Sequence, residues 1–205
     1  MNRPRQLVLG VLAILVFSSV AQAQSSNQSQ SSTVPVFTVT PVQSRITFYV
    51  KSSVKVEGTF EKWDATLVFT STDASTGVLD IKIQADSVNS GSKSEDEMLK
   101  GKNCFDAAKD PYITFHSTKI TQTGPNTFDV AGIFTLRGIS KPEGLTFTVD
   151  REAGGATGAI KGVLTIDRKD FGLGGDIHFV TIADRVDVTI DFKATRVGPP
   201  LVIKQ

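Results

Sequence analysis

From Val36 onward, apolar residues recur at every second position in short runs separated by turn residues, the signature of half-buried antiparallel strands. Ile46, Phe48 and Val50 share one face against Thr47, Tyr49 and Lys51, and Val54, Val56, Gly58 and Phe60 follow. Leu67 and Phe69 alternate with Thr66 and Thr70, and Leu79, Ile81 and Ile83 with Asp80, Lys82 and Gln84; these four runs read as a meander. Further runs carry Ile113 and Phe115, then Phe128 to Leu136, then Leu145, Phe147 and Val149, then Ile160 to Ile166, and last Val186 to Phe192. One stretch breaks the period. In Ser94 to Ile120, Ser94 is expected to cap a short helix, Glu97 to complete a capping box, and Gly101 to stop it, with Glu95 and Asp96 placed favourably against the helix dipole. Phe105 then leads through a polar turn to Pro111, and alternation resumes at Tyr112.

Eight or nine strands with one helix, and no alternation of strands with helices, disfavour a parallel α/β fold, which needs a crossover helix between neighbouring strands. An antiparallel sheet with one apolar face folds into a sandwich or closes into a barrel, and closure removes exposed edges. A barrel is favoured by the Phe, Ile, Leu and Val on one face of nearly every run, with Gly58, Gly132 and Gly162 expected to leave room on that face. About eight strands enclose space for one small ligand.

Outside the alternating region the chain reads differently. Arg3 and Arg5, the apolar run Leu7 to Val16, and Ala21-Gln22-Ala23 form the pattern of a secretory signal peptide over residues 1–23, with the apolar run too short for a membrane anchor. Residues 24–35 read as a flexible Ser/Gln-rich leader, 36–197 as one domain, and 198–205 as a C-terminal tail. Export to the periplasm or the medium is expected. Loss of Arg3 and Arg5 changes the formal charge from +1 to −1, 20 basic residues against 21 acidic, which points to no charged partner. Cys104 is the sole cysteine, so no intramolecular disulfide forms and stability rests on the core.

Candidate chemistry is sparse. His116, His178 and Cys104 have no metal-ligand spacing, so neither a metal nor a cofactor is expected. A hydrolase would use His116 or His178 with a neighbouring carboxylate, but no motif singles one out, and no catalytic residue is assigned. Gly172-Leu173-Gly174-Gly175 lacks a following helix and reads as a flexible loop rather than a phosphate cradle. Basic residues form no stripe with aromatics, so no nucleic acid is expected as a partner. Trp63 is expected in a hairpin turn.

Several stretches together resemble the YceI-like family of exported, lipocalin-like polyisoprenoid-binding proteins. Ser44-Arg45-Ile46-Thr47-Phe48 with Val56-Glu57-Gly58-Thr59-Phe60 is similar to its opening hairpin. Phe105 to Thr118, a Phe, then Pro111, then an Ile-x-Phe-x-Ser strand, resembles its most recognisable segment. Gly132 to Pro142 carries its Arg-Gly-x-Ser-x-Pro pattern, Asp167 to Gly172 its Arg-x-Asp-Phe-Gly element, and Ala183-Asp184-Arg185-Val186 its final strand entry. Departures lie at Val39-Thr40-Pro41 and at Lys51, where members often carry His. The resemblance implies an all-β, antiparallel eight-stranded lipocalin-like barrel with a short helix inserted midway, holding a polyisoprenoid or another long-chain lipid or quinone-type ligand without a stable membrane anchor. The residues then expected to bind the ligand are Phe48, Phe69, Ile81, Phe115, Phe134, Phe147 and Ile190 in the tunnel, with Met98, Leu99 and Phe105 as a lid. The same side chains would equally fill a solid core.

Overall fold

The computed structural model describes residues 36–52, 56–70, 73–151, 157–174 and 182–196. The expected signal peptide, leader and tail, with Val54 and His178, lie outside these residues. Each alternating run forms a strand because its apolar side chains all reach one face, where they meet those of the neighbouring strands. The strands are β1 (Val36–Ser52), β2 (Val56–Phe60), β3 (Trp63–Phe69), β4 (Gly77–Gln84), β5 (Val88–Asn89), β6 (Tyr112–Gln122), β7 (Thr127–Leu136), β8 (Ile139–Arg151), β9 (Thr157–Asp167) and β10 (Ile182–Arg196), with the helix α1 (Lys93–Lys100) between β5 and β6. Their order in the sheet is β10-β9-β8-β7-β6-β4-β3-β1-β2-β5, and β10 also pairs with β1, which turns the sheet back on itself. All pairings are antiparallel.

The expected eight strands are ten. The first part of β1 pairs with β3, from Val36↔Val68 to Thr38↔Thr66, and its second part with β2, from Ile46↔Phe60 to Val50↔Val56. β2 and β3 therefore follow one path, broken at Glu61–Lys62. The next path is broken in the same way, between β4 and β5, by a 3-10 turn at Ala85–Ser87. A buried serine holds the two breaks together: Ser87 Oγ donates to the carbonyl of Gln84 at 2.7 Å and accepts from the N–H of Lys62 at 3.0 Å. Trp63, expected in a hairpin turn, instead starts β3 just past this break and stacks on Phe192 with ring centroids 4.7 Å apart.

The inward face is a continuous apolar core from Ile46 to Phe192. A polar exception is Ser117, 3% exposed, whose Oγ accepts from the N–H of Leu79 at 2.7 Å where β6 bulges between Ser117 and Lys119. The room expected over the glycines is already occupied. A Cβ on Gly58 would lie 2.8 Å from the Phe48 ring, one on Gly132 2.5 Å from the Phe115 ring, and one on Gly162 2.9 Å from Leu145. These glycines make space for neighbouring side chains, not for a ligand.

The helix forms at the expected place with different caps. Ser92, not Ser94, is the N-cap, and its side chain makes no capping bond. The capping box is displaced because Asp96 reaches back to Ser90, accepting from its N–H and its hydroxyl, each at 2.7 Å, which fixes the start of the helix two residues earlier. Gly101 ends the helix in an extended conformation, φ −66°, with its N–H on the carbonyl of Met98. No residue of α1 is buried.

Candidate functional site

The antiparallel order brings the end of β1, the start of β2, the end of β4, the start of β6, the ends of β7 and β9, and the start of β10 to the end of the sheet that carries α1. There they enclose a cavity of about 130 Å³. Its wall is apolar: Val50, Val56, Ile83, Ile113, Leu136, Ile166, Ile182, Val186 and Val188 from the strands, and Met98 and Leu99 from α1. Phe48, Phe60 and Phe105 form an aromatic corner, with ring centroids 5.6 to 6.0 Å apart. Phe134 lies deeper and meets the fully buried Phe171 edge to face at 5.3 Å.

Two arginines shape the rim. β7 and β8 are joined by the two-residue turn Arg137-Gly138, both residues at positive φ (54° and 71°), as a type I′ hairpin requires. Such a turn ordinarily selects Asn-Gly; here the first position carries a guanidinium that donates to the carbonyls of Gly172 and Lys102, tying the hairpin to the 168–174 segment and to the loop after α1. Arg168, which lines the cavity, donates to the carbonyls of Leu173 (2.8 Å), Gly174 (2.9 Å) and Ala183 (3.1 Å) and pairs with Asp184 at 3.2 Å. The Gly174 N–H in turn donates to the carbonyl of Asn103 at 2.9 Å. Of the expected flexible loop Gly172-Leu173-Gly174-Gly175, the first three residues are thus pinned from both sides, and Gly175 lies outside the described residues. Cys104 also faces the cavity, where burial pushes its thiol up from the ordinary range against the pull of the Arg137 and Arg168 charges.

Of the ten residues expected to bind a ligand, the structure brings Phe48, Met98, Leu99, Phe105 and Phe134 to this cavity. Ile81, Phe115, Phe147 and Ile190 line two small voids further along the interior, each of about 20 Å³, and Phe69 packs against Gly77 with 3% exposure. The interior is therefore hollow at the α1 end and filled at the other. The lining residues that sequence reasoning missed, among them Val50, Ile83, Ile113, Leu136, Ile166 and Val186, are the inward residues nearest one end of each strand. The signal that would have found them is strand polarity, which antiparallel order fixes once the position of α1 is known.

His116 has an acid within hydrogen-bond reach, Asp80 Oδ1 at 2.6 Å, but both side chains point outward and are more than half exposed, away from the cavity. Among the described residues, no group of three His, Cys, Asp or Glu is placed to hold a metal.

Comparison with known proteins matches this architecture. The YceI-like domain covers residues 37–194. The chain belongs to the YceI-like family. A relative, a UPF0312 protein of Pseudomonas savastanoi pv. phaseolicola, is 31% identical over 124 residues, covering 58% of this YceI-like chain and 65% of its own length, so the match spans less than two thirds of that relative. The crystal structure of Burkholderia cenocepacia BcnA is 31% identical with a TM-score of 0.70, covering 77% of this chain and 99% of that one. A polyisoprenoid binding domain from Saccharophagus degradans shares the fold, with a TM-score of 0.60 over 80% of this chain and 98% of that one, at 14% identity. Residues far apart in sequence come together here: Phe105 and Arg168 line the cavity, Arg137 bonds the Gly172 carbonyl, and Arg168 bonds the Ala183 carbonyl and pairs with Asp184.

Proposed function

We propose that this chain is an exported carrier that holds the apolar tail of an isoprenoid-type, quinone-type or fatty-acyl amphiphile in the cavity beside α1. One observation carries the reading: the cavity wall is almost wholly hydrocarbon, yet it lies at an open end whose rim is fixed by arginine bonds. A void of about 130 Å³ is close to the ~150 Å³ engineered cavity that stays dry and takes benzene, so it favours an apolar guest over water. About six buried methylenes at ~0.8 kcal/mol each amount to ~5 kcal/mol, a Kd on the order of 0.3 mM from the tail in the cavity alone. Tighter binding needs contacts at the mouth or deeper entry. Membership of the YceI-like family, whose members the sequence resemblance describes as lipid binders, supports the same reading. No step of this function uses a catalytic side chain. Native mass spectrometry of mildly purified protein is expected to show an apolar molecule bound, and emptied protein is expected to take up a prenyl or quinone probe. Protein that is empty and takes up neither probe refutes the carrier reading. Export rests on Arg3, Arg5, the Leu7 to Val16 run and Ala21-Gln22-Ala23. Protein recovered from the periplasm or medium should begin at Gln24, and an intact Met1 in that fraction refutes the assignment.

A further inference from the structure

The cavity and the two small voids share their walls in sequence. Ile83, Phe134 and Val188 line both the 130 Å³ cavity and the first 20 Å³ void. Ile81, Leu145 and Ile190 line both that void and the second one. The three spaces therefore lie in a row along the interior, divided by two layers of side chains, and the first layer is dominated by the Phe134 ring. We infer that Phe134, with Ile83 and Val188, is the partition that sets how far a ligand tail enters the barrel, and so the length of tail this protein selects. The inference rests on the carrier reading above and adds the determinant of its specificity.

The partition is a firm one. Phe134 is 5% exposed, and its ring is held edge-on by Phe171, which is 0% exposed and sits in the Arg168–Gly172 segment clamped by Arg137. Ring displacement would have to disturb that packing. Beyond it, voids of about 20 Å³ are too small for more than about one water-sized group, so a tail gains nothing from passing the partition unless the ring moves. Removing the ring joins the cavity to the first void and leaves space where the phenyl stood. Ile83, 6% exposed, closes the partition from β4.

The test is titration calorimetry with saturated fatty acids from C6 to C14, below their micellar concentrations. For the wild-type protein, affinity is expected to rise about fourfold per added methylene and then to stop rising at a definite chain length. In Phe134→Ala the break is expected at least two carbons later, with the longest acids bound at least about sixteenfold more tightly than by wild type. Phe134→Leu and Ile83→Ala, milder changes checked for folding by circular dichroism, are expected to move the break in the same direction by less, and they decide the matter if Phe134→Ala does not fold. A wild-type series that climbs to C14 without a break overturns the inference, as does a break that stays put in the folded variants. Failure of every acid to bind wild type removes the fatty-acyl ligands, and failure of the prenyl and quinone probes as well overturns the carrier reading itself, a result distinct from either.

Discussion

Two glycines on neighbouring strands give opposite expectations for the same substitution. Gly132, in β7, is paired on both sides, with Ser117 and with Glu143. A Cβ added there would lie 2.5 Å from Cζ of Phe115 and 2.6 Å from the backbone carbonyl oxygen of His116. Carbon contacts are favourable at roughly 3.5–4.0 Å, so the overlap is about an ångström. Phe115 is 3% exposed, and His116 is hydrogen-bonded within a strand flanked by β4 and β7, so neither yields without moving the sheet. Overpacking of this kind costs about 1–3 kcal/mol, and the firm backbone contact places Gly132→Ala near 3. Replacing glycine within a strand recovers about 0.5–1 kcal/mol. The net loss of about 2 kcal/mol corresponds to a Tm lowered by about 4–8 °C for a chain of this size. Gly144, in β8, has nothing within 4 Å of its added Cβ, so Gly144→Ala is expected to raise Tm by about 1–4 °C. Thermal unfolding followed by circular dichroism measures both. A Gly132→Ala variant melting within 1 °C of wild type, or a Gly144→Ala variant destabilised as much as it, would refute the packing on which the filled half of the interior rests.

Arg137→Asn keeps a residue suited to positive φ in the hairpin but removes the guanidinium bonds to Gly172 and Lys102; hydrogen exchange should speed up at Lys102–Phe105 and Phe171–Gly174 while the β7–β8 ladder stays protected, and unchanged exchange in both segments contradicts the clamp. Cys104, its thiol raised by burial, is expected to react slowly with a disulfide reagent at pH 7 and more slowly again once a fatty acid occupies the cavity; labelling unaffected by ligand contradicts its place in the wall. The same raised thiol makes a stabilising contribution that is complete below the unfolded thiol pKa and is lost as pH rises through the folded value, so denaturant midpoints compared across alkaline pH should decline less in Cys104→Ala than in wild type. Ser87→Ala strands the N–H of Lys62 at the double break and is expected to cost about 1–3 kcal/mol in urea unfolding; a cost below about 0.5 shows that the break is held by its backbone bonds alone.

Much of this architecture was legible because period two is set by the backbone: residues such as Phe48, Phe115 and Phe134 had to share one face, whichever strands they met. The helix between Ser92 and Gly101 was legible from its composition. Its caps were not, since Asp96 found a partner in Ser90 that no local rule selects. Eight strands became ten because the breaks at Glu61–Lys62 and Ala85–Ser87 depend on Ser87 meeting Lys62, a contact between residues 25 apart. The glycines misled for a related reason. Alternation shows that Gly132 faces inward, but not that Phe115 leans over it. The cavity was half legible: Phe48, Phe105 and Phe134 lie on its wall, whereas Phe69, Phe147 and Ile190 face the same way from the filled end, and face alone does not report position along a strand. Arg168 and Arg137 stood in recognisable motifs, yet their work is done on backbone carbonyls, which sequence does not mark.

In the proposed carrier an apolar tail enters at the α1 end, and the opposite end of the interior is filled. Methyl NMR with a fatty acid carrying a nitroxide near its terminus distinguishes the two ends. Line broadening is expected at Ile83, Ile113, Leu136 and Ile166 around the cavity, with Leu67, Leu79 and Ile160 at the far end spared. Broadening centred on Leu67, Leu79 and Ile160, or spread evenly over both sets, would show that the tail does not enter beside α1.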